Sequence, residues 1–337
     1  MCNGYLMASN STILLTRNDV AGLLDIGTCI PAVERAFRCY GEGKVATPKV
    51  MAVHVDTGAF HIKAGEMQLG QHYFVAKTNA NFPGNPKKSN LPTIQGIIIV
   101  FDAGNGRVLA IMDSMELTIL RTGAATGVAA KYLSKSNASV AAICGCGHQG
   151  IISLKALAKV RGILTAYVYD IDYELAKEFS SKLSNELNIK IFPVRELREA
   201  TLQSDICVTC TPAKQPILFK GDVKAGSLIA AVGTDNEEKN EIDADLVASS
   251  KIVTDITEQC ASIGDLHHAI RKNKANISDV HAELGQVIAG KKTGRENDDE
   301  IILFDSTGMA LQDVASAAIV FKRALGESHG MTFDFSK

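Results

Sequence analysis

Charge of one sign is missing from this sequence. Its 35 lysines and arginines stand against 37 aspartates and glutamates, a formal charge of −2 over 337 residues. With no basic tract either, there is no electrostatic reason to expect a nucleic-acid partner. Long apolar runs are missing too, since none reaches the roughly 18 residues of a membrane-spanning helix. The opening "MCNGYLMASNST" has no basic segment leading into an apolar one, so no secretory signal is expected. The chain therefore reads as cytoplasmic, with no membrane partner. Eight cysteines are scattered without a disulfide framework. Cys207 and Cys210 form one C-x-x-C, but no second pair completes a zinc site, and they lie in an apolar strand-like run. No metal is expected, and the two thiols read as buried small residues. Repeats and low-complexity tracts are also absent.

What is present is a core-forming composition, 46% hydrophobic, in a chain long enough for two domains. Residues 30–41 place Ile30, Val33, Phe37 and Tyr40 on one helical face, with Gly41 as a stop. Short alternating runs follow to about residue 113, and "DAGNG" (102–106) is a hairpin signal. This part reads as a helix followed by a largely antiparallel sheet. From residue 114 a helix rich in small residues begins, which implies close packing against it. Strand-like runs at 139–144, 165–170, 189–194, 205–211, 227–233 and 251–255 then alternate with helical ones, the pattern of a parallel sheet wound with helices. The last part, 300–327, reads as a strand, a Ser-Thr-Gly turn and a long helix that Ser306 or Thr307 could cap. "KKTGRENDDE" (291–300) reads as a solvated loop.

The stretch "ICGCGHQG" (143–150) contains G-x-G-x-x-G. Alone that is a weak signal, but here a strand runs into Gly145, a helix follows Gly150, and the next strand ends at Asp170, twenty residues on. Gly145 permits the tight turn and Gly147 lets the backbone approach a pyrophosphate. Gly150 lets helix and strand pack, and the helix start offers free N–H groups to phosphates. A carboxylate at 170 accepts bonds from both ribose hydroxyls and repels a 2′-phosphate, which favours NAD over NADP. His148, inside the loop, reads as surface rather than catalyst, and His267 and His268 read as helix surface.

Ligands of doubly wound sheets lie beyond the carboxyl ends of the strands. Thr209 and Thr211 stand at one such edge and Asp235 at another, where a carboxylate could serve as general acid or base or could be only a solvated turn residue. Lys77 follows an apolar run, which points to partial desolvation and a lowered pKa, and its alternative is an ordinary lysine at a strand end. Arg121 sits in an otherwise small and apolar helix, where a substrate carboxylate or an internal ion pair would suit its planar fork. Lys49 and Lys63 are further cationic candidates.

Taken together, six segments in order resemble the ornithine cyclodeaminase/mu-crystallin family, which includes the archaeal-type alanine dehydrogenases. They are 77–93, 109–133, 143–150, "AVGTDNEEKNEID" (231–243), "HAELGQVIAG" (281–290) and "GRENDDEIILFDSTGMALQDVA" (294–315), and the resemblance covers nearly the whole chain. It implies an α/β fold in which a Rossmann doubly wound parallel sheet, residues 122–302, is inserted in an α+β substrate and dimerisation domain of residues 1–121 and 303–337. It also implies a homodimer and hydride transfer between NAD and the α-carbon of an amino acid or its imine. Lys77 matches the family's active-site lysine, Asp235 its catalytic aspartate, and Arg121 the arginine that clamps the substrate carboxylate. Thr122, Gly145, Gly147 and Asp170 match cofactor contacts, as do Thr211, Val232 and Gly308, and the loop residues His148 and Gln149 are counted with them. Lys49 and "FHIKAG" stand where many members carry an arginine and a Met-Pro pair, so Lys49 or Lys63 is expected to replace that arginine as a second carboxylate contact. The acid that a cyclodeaminase would offer to the side-chain amine of ornithine is not evident, Glu66 being the nearest candidate. Three activities are open: an amino-acid dehydrogenase or imino-acid reductase, the first choice; an ornithine cyclodeaminase that releases ammonia and returns the hydride; and a non-catalytic binding protein of the mu-crystallin kind.

Overall fold

The computed structural model describes residues 11–337. The chain opens with β1 (Ser11–Leu15), α1 (Arg17–Leu23) and α2 (Ile26–Gly41). It continues through β2 (Lys49–Val55), β3 (Gly58–Leu69), β4 (Gln71–Asn81), α3 (Asn85–Lys88), β5 (Ile94–Asp102), β6 (Val108–Asp113) and α4 (Met115–Leu133). Next come β7 (Val140–Cys144), α5 (His148–Val160), β8 (Thr165–Tyr169), α6 (Tyr173–Leu187), β9 (Lys190–Pro193), α7 (Leu197–Thr201), β10 (Ile206–Thr209) and β11 (Leu228–Ala231). Then follow α8 (Ala244–Ser249), β12 (Lys251–Thr254), α9 (Thr257–Ile263), α10 (Asp265–Arg271), β13 (Val280–Glu283), α11 (Leu284–Ile288) and β14 (Ile302–Asp305), and α12 (Ala310–Glu327) and β15 (Met331–Asp334) close the chain.

These elements form two compact units. One holds the described residues through Ala36 with Gly43–Arg121 and Met309–Lys337; the other holds Phe37–Glu42 and Thr122–Gly308. In the first unit seven strands run in the order β15-β1-β6-β5-β4-β3-β2. All neighbours are antiparallel except β1 and β6. Side chains alternate across a strand, so Tyr73, Val75 and Lys77 share one face of β4 and are buried. The apolar stripe of α12 covers that face: a Cβ on Gly65 would touch Leu311 and Val314, and the Tyr73 and Phe321 rings meet edge to face at 6.2 Å. Each large apolar side chain buried this way contributes about 1.5–3 kcal/mol. Apolar residues remain on the other face, where Phe60, Phe74 and Ile97 are exposed.

In the second unit eight parallel strands run in the order β13-β12-β14-β11-β10-β7-β8-β9. The chain winds outward from β7 to β9, then crosses to β10 on the opposite side of β7, so the winding reverses between β7 and β10. A crevice at the carboxyl ends of such strands is where doubly wound sheets hold ligands. The close packing expected from the small residues of α4 is met here by α5, since a Cβ on Gly123 would lie 2.8 Å from Ile152.

Several local readings need correction. The boundary expected at 302/303 falls inside β14, which pairs with β11 and β12, so the second unit runs on to Gly308. Ser306 and Thr307 do not cap α12. Met309 holds the N-cap position with no side-chain bond, while Ser306 and Thr307 both donate to Asp255. The 291–300 loop is anchored rather than only solvated, because Arg295 donates to the carbonyls of Leu133 and Glu300. His267 and His268 are half-buried, each bonded to a backbone carbonyl. Among the described residues no helix is long and apolar enough to cross a membrane.

Candidate active site

Lys77 stands on β4 directly opposite Lys63 on β3. Both side chains are buried, at 2% and 7% exposure. Like charges facing each other across two strands are destabilising unless an anion answers them. Asp313, in the first turn of α12, is that anion: its carboxylate receives the Lys77 ammonium at 2.9 and 2.8 Å. Arg121, on α4, brings its Nε to 3.2 Å from the same carboxylate and donates from Nη1 to the Gln312 side-chain oxygen at 3.0 Å. The Nε2 of Gln312 is buried with no partner among the described residues. Burial pushes the Lys77 amine down from 10.5 to about 7; Asp313 resists, and the charges of Arg121 and Lys63 add to the fall. Burial works against the Asp313 anion, but Lys77 and Arg121 hold its pKa below the ordinary carboxylate value. Sequence reasoning missed Asp313 and Gln312. The available signal was an acid and an amide in the first turn of an otherwise apolar helix.

The remaining candidates of this unit fall apart. Lys49 is exposed on β2, at the edge of the sheet. Glu66 lies an odd number of residues along β3 from Lys63 and so points to the other face, where it pairs with His72. Glu66, the candidate for a side-chain amine, is therefore not beside Lys63 and Lys77.

In the second unit the glycine loop joins β7 to α5 at the reversal point of the sheet. Gly145 has φ +107°, in the left-handed region. A Cβ on Gly150 would lie 2.0 Å from the Gly145 carbonyl oxygen, so helix and strand meet at a distance that only glycine permits. Space above Gly147 is open, and α5 starts there without a side-chain cap, leaving its first N–H groups available. His148 is exposed at the first turn, and the Gln149 side-chain oxygen is buried without a partner among the described residues. Asp170 follows β8 and accepts from the Cys146 N–H at 2.8 Å and the Asp172 N–H at 3.0 Å, so it braces the loop. Each oxygen keeps a lone pair for a further donor. The open cradle, the uncapped helix start and the braced acid fit a dinucleotide phosphate and ribose.

Three other candidate contacts lie along the same sheet edge, and a fourth stands on α4. Thr211 follows β10, Val232 is buried after β11, Gly308 follows β14 with φ +88°, and Thr122 is buried on α4. Asp235 is half-exposed and takes the Lys239 ammonium at 2.7 Å. Cys207 is buried within β10, where burial pushes its thiol up to about 12, far from a reactive or metal-binding thiolate. Sequence reasoning also missed Glu241 and Asp265, both fully buried beneath these turns.

Comparison with known proteins agrees with this geometry. The profile of the ornithine cyclodeaminase/mu-crystallin family matches residues 10–328. An alanine dehydrogenase of Archaeoglobus fulgidus is 38% identical over 96% of this chain and 98% of its own length. A solved archaeal alanine dehydrogenase dimer with bound NAD superposes with a TM-score of 0.92 at 38% identity, covering 96% of this chain and 99% of that one. The Thermococcus litoralis Delta(1)-pyrroline-2-carboxylate reductase, solved with NADH and L-proline, gives a TM-score of 0.89 at 34% identity, covering 95% and 99%.

Proposed function

This chain belongs to the ornithine cyclodeaminase/mu-crystallin family, and on that premise we propose that it is an NAD-dependent oxidoreductase acting at the α-carbon of an amino acid or its imine. The observation that carries the reading is the buried group of Lys77, Arg121, Gln312 and Asp313 in a chain whose relatives include an alanine dehydrogenase and a pyrroline-2-carboxylate reductase. The glycine loop, with Thr122, Gly145, Gly147, His148, Gln149, Asp170, Thr211, Val232 and Gly308, is proposed to hold the dinucleotide.

Arg121 takes the substrate carboxylate on its planar fork. The unpartnered Gln312 Nε2 adds a donor, and Lys63 supplies a second positive charge. The Lys77 ammonium donates to the carbonyl or imine to be reduced and draws electron density away from the α-carbon. In the oxidative direction its neutral amine accepts the bond. With a pKa of about 7 it exchanges that proton near neutral pH. Asp235 moves protons as water adds or ammonia leaves. When bound, the nicotinamide supplies the acceptor or donor of the α-hydride.

The exposed apolar face of Phe60, Phe74 and Ile97, beside the exposed edge strand β2, supports a homodimer formed through the first unit. Glu66, turned away from Lys63 and Lys77, favours net oxidation or reduction over cyclodeamination. The test is a panel of L-amino acids, alanine and ornithine among them, with NAD⁺, following NADH absorbance and ammonia together. Matched NADH and ammonia are expected. Ammonia without net NADH, from ornithine or lysine alone, would make it a cyclodeaminase, and no turnover would favour a binding protein.

A further inference from the structure

The strands β10, β11, β14 and β12 are neighbours in the parallel sheet, and four fully buried carboxylates gather at their carboxyl ends: Asp305 closes β14, Asp255 follows β12, Asp265 opens α10, and Glu241 lies in the segment between β11 and α8. Most of their partners are backbone amides and hydroxyls, joined by the Asn240 side-chain amide on Asp265 and the Cys260 thiol on Asp255, while one Asp305 oxygen has no partner among the described residues. Asp255 accepts from the Gly308 N–H at 2.7 Å and the Ser306 hydroxyl at 3.1 Å. Asp305 accepts from the Leu266 N–H at 2.9 Å. Asp265 gathers the N–H groups of Glu241 and Ile242 at 2.8 and 2.9 Å and takes the Thr234 hydroxyl at 3.0 Å. Glu241 spans two turns. One oxygen accepts from the Thr211 N–H at 2.6 Å and the Thr211 hydroxyl at 2.7 Å, the other from the Gly233 N–H at 3.1 Å. A Cβ on Gly233 would sit 2.4 Å from that second oxygen, so the fit is close on this side as well.

We propose that Glu241 is a positioning residue of the reaction: its carboxylate clasps the turn after β10 to the turn after β11 and thereby sets where Thr211 and Asp235 stand. The inference rests on the reading given above for those two residues. Three donors converge on two oxygens, and only an acceptor on both sides satisfies them all. A carboxamide would turn its own N–H groups against one of the two turns.

The groups facing Glu241 are Asp265 and the thiols of Cys144 and Cys210, which burial keeps protonated. Burial first, and then Asp265, push the Glu241 carboxyl up to about 7, against the bonds from Thr211. Below that pH the protonated group loses an acceptor position, and above it the clasp is complete. This route favours turnover as the pH rises through about 7, alongside the separate titration of Lys77 in the same range.

The test compares full-length wild type with Glu241→Gln by hydrogen exchange and by steady-state kinetics at one pH. Exchange in segments 205–211 and 228–236 is expected to quicken about tenfold or more while β8 is unchanged. kcat should fall about tenfold or more with substrate KM within about threefold. Unchanged exchange in both segments, or kcat within about twofold of wild type, overturns the proposal. If the wild type turns over no amino acid, the functional reading fails alone and exchange still decides the role of Glu241. Should Glu241→Gln not fold, Thr211→Val removes one donor and should quicken exchange at 228–236 about twofold or more; no change there overturns the proposal equally.

Discussion

In the first unit Lys63, Lys77 and Arg121 are buried around the carboxylate of Asp313. In the second, Glu241, Asp265, Asp305 and Asp255 are buried mostly among backbone amides and hydroxyls. The partners explain the difference. Cations that share one counter-ion keep bonding capacity for an anionic ligand. Acids surrounded by amide donors spend theirs on the backbone and hold turns in shape. The first arrangement is suited to binding and proton chemistry, the second to geometry.

The sharpest way to break the contrast is Lys77→Met. It is expected to lower kcat about 10³-fold, with NADH affinity by fluorescence titration unchanged, because the glycine loop is untouched. A loss of less than about tenfold would return Lys77 to an ordinary buried lysine. Asp235→Asn should also keep NADH affinity while turnover falls by roughly 10²-fold; near-normal turnover would reject it as the proton carrier.

Asp313→Asn sharpens the comparison through pH. Asp313 is the charge that holds the Lys77 pKa up, so its loss drives that pKa further down. Reductive turnover, which needs the ammonium, falls as pH rises past about 7 in wild type, and the fall should move to lower pH in the variant. Leaving the buried cations without their anion should also cost about 3–5 kcal/mol in urea unfolding. An unmoved pH limb would separate Asp313 from Lys77. The smallest effect is expected at the loop, where Asp170→Ser should narrow the NAD/NADP preference by about tenfold, or about 1.4 kcal/mol. An unchanged ratio would remove Asp170 from cofactor choice.

The parallel sheet was legible because strand and helix alternate in the sequence, and the glycine loop because its spacing lies within one local motif. Lys77 and Arg121 were legible because a cation in an apolar run is conspicuous. Their partner was not, since Asp313 lies 236 positions from Lys77. Glu241 was hidden differently: "NEEKNEID" reads as a solvated turn, yet Glu241 is fully buried. A buried acid satisfied by amides looks, in sequence, like one satisfied by water. Ser306 and Thr307 misled for a related reason, because a nearby buried carboxylate, Asp255, draws their hydroxyls away from the helix start. Glu66 could be placed only once the register of β3 fixed its face.

The central claim is hydride transfer at the α-carbon, and isotope transfer tests it most directly. The best amino acid from the panel would be supplied deuterated at Cα with unlabelled NAD⁺, and the reduced nicotinamide examined by mass spectrometry. The account predicts one deuterium in the NADH for each ammonia released. Ammonia released with no deuterium in the nicotinamide would contradict it.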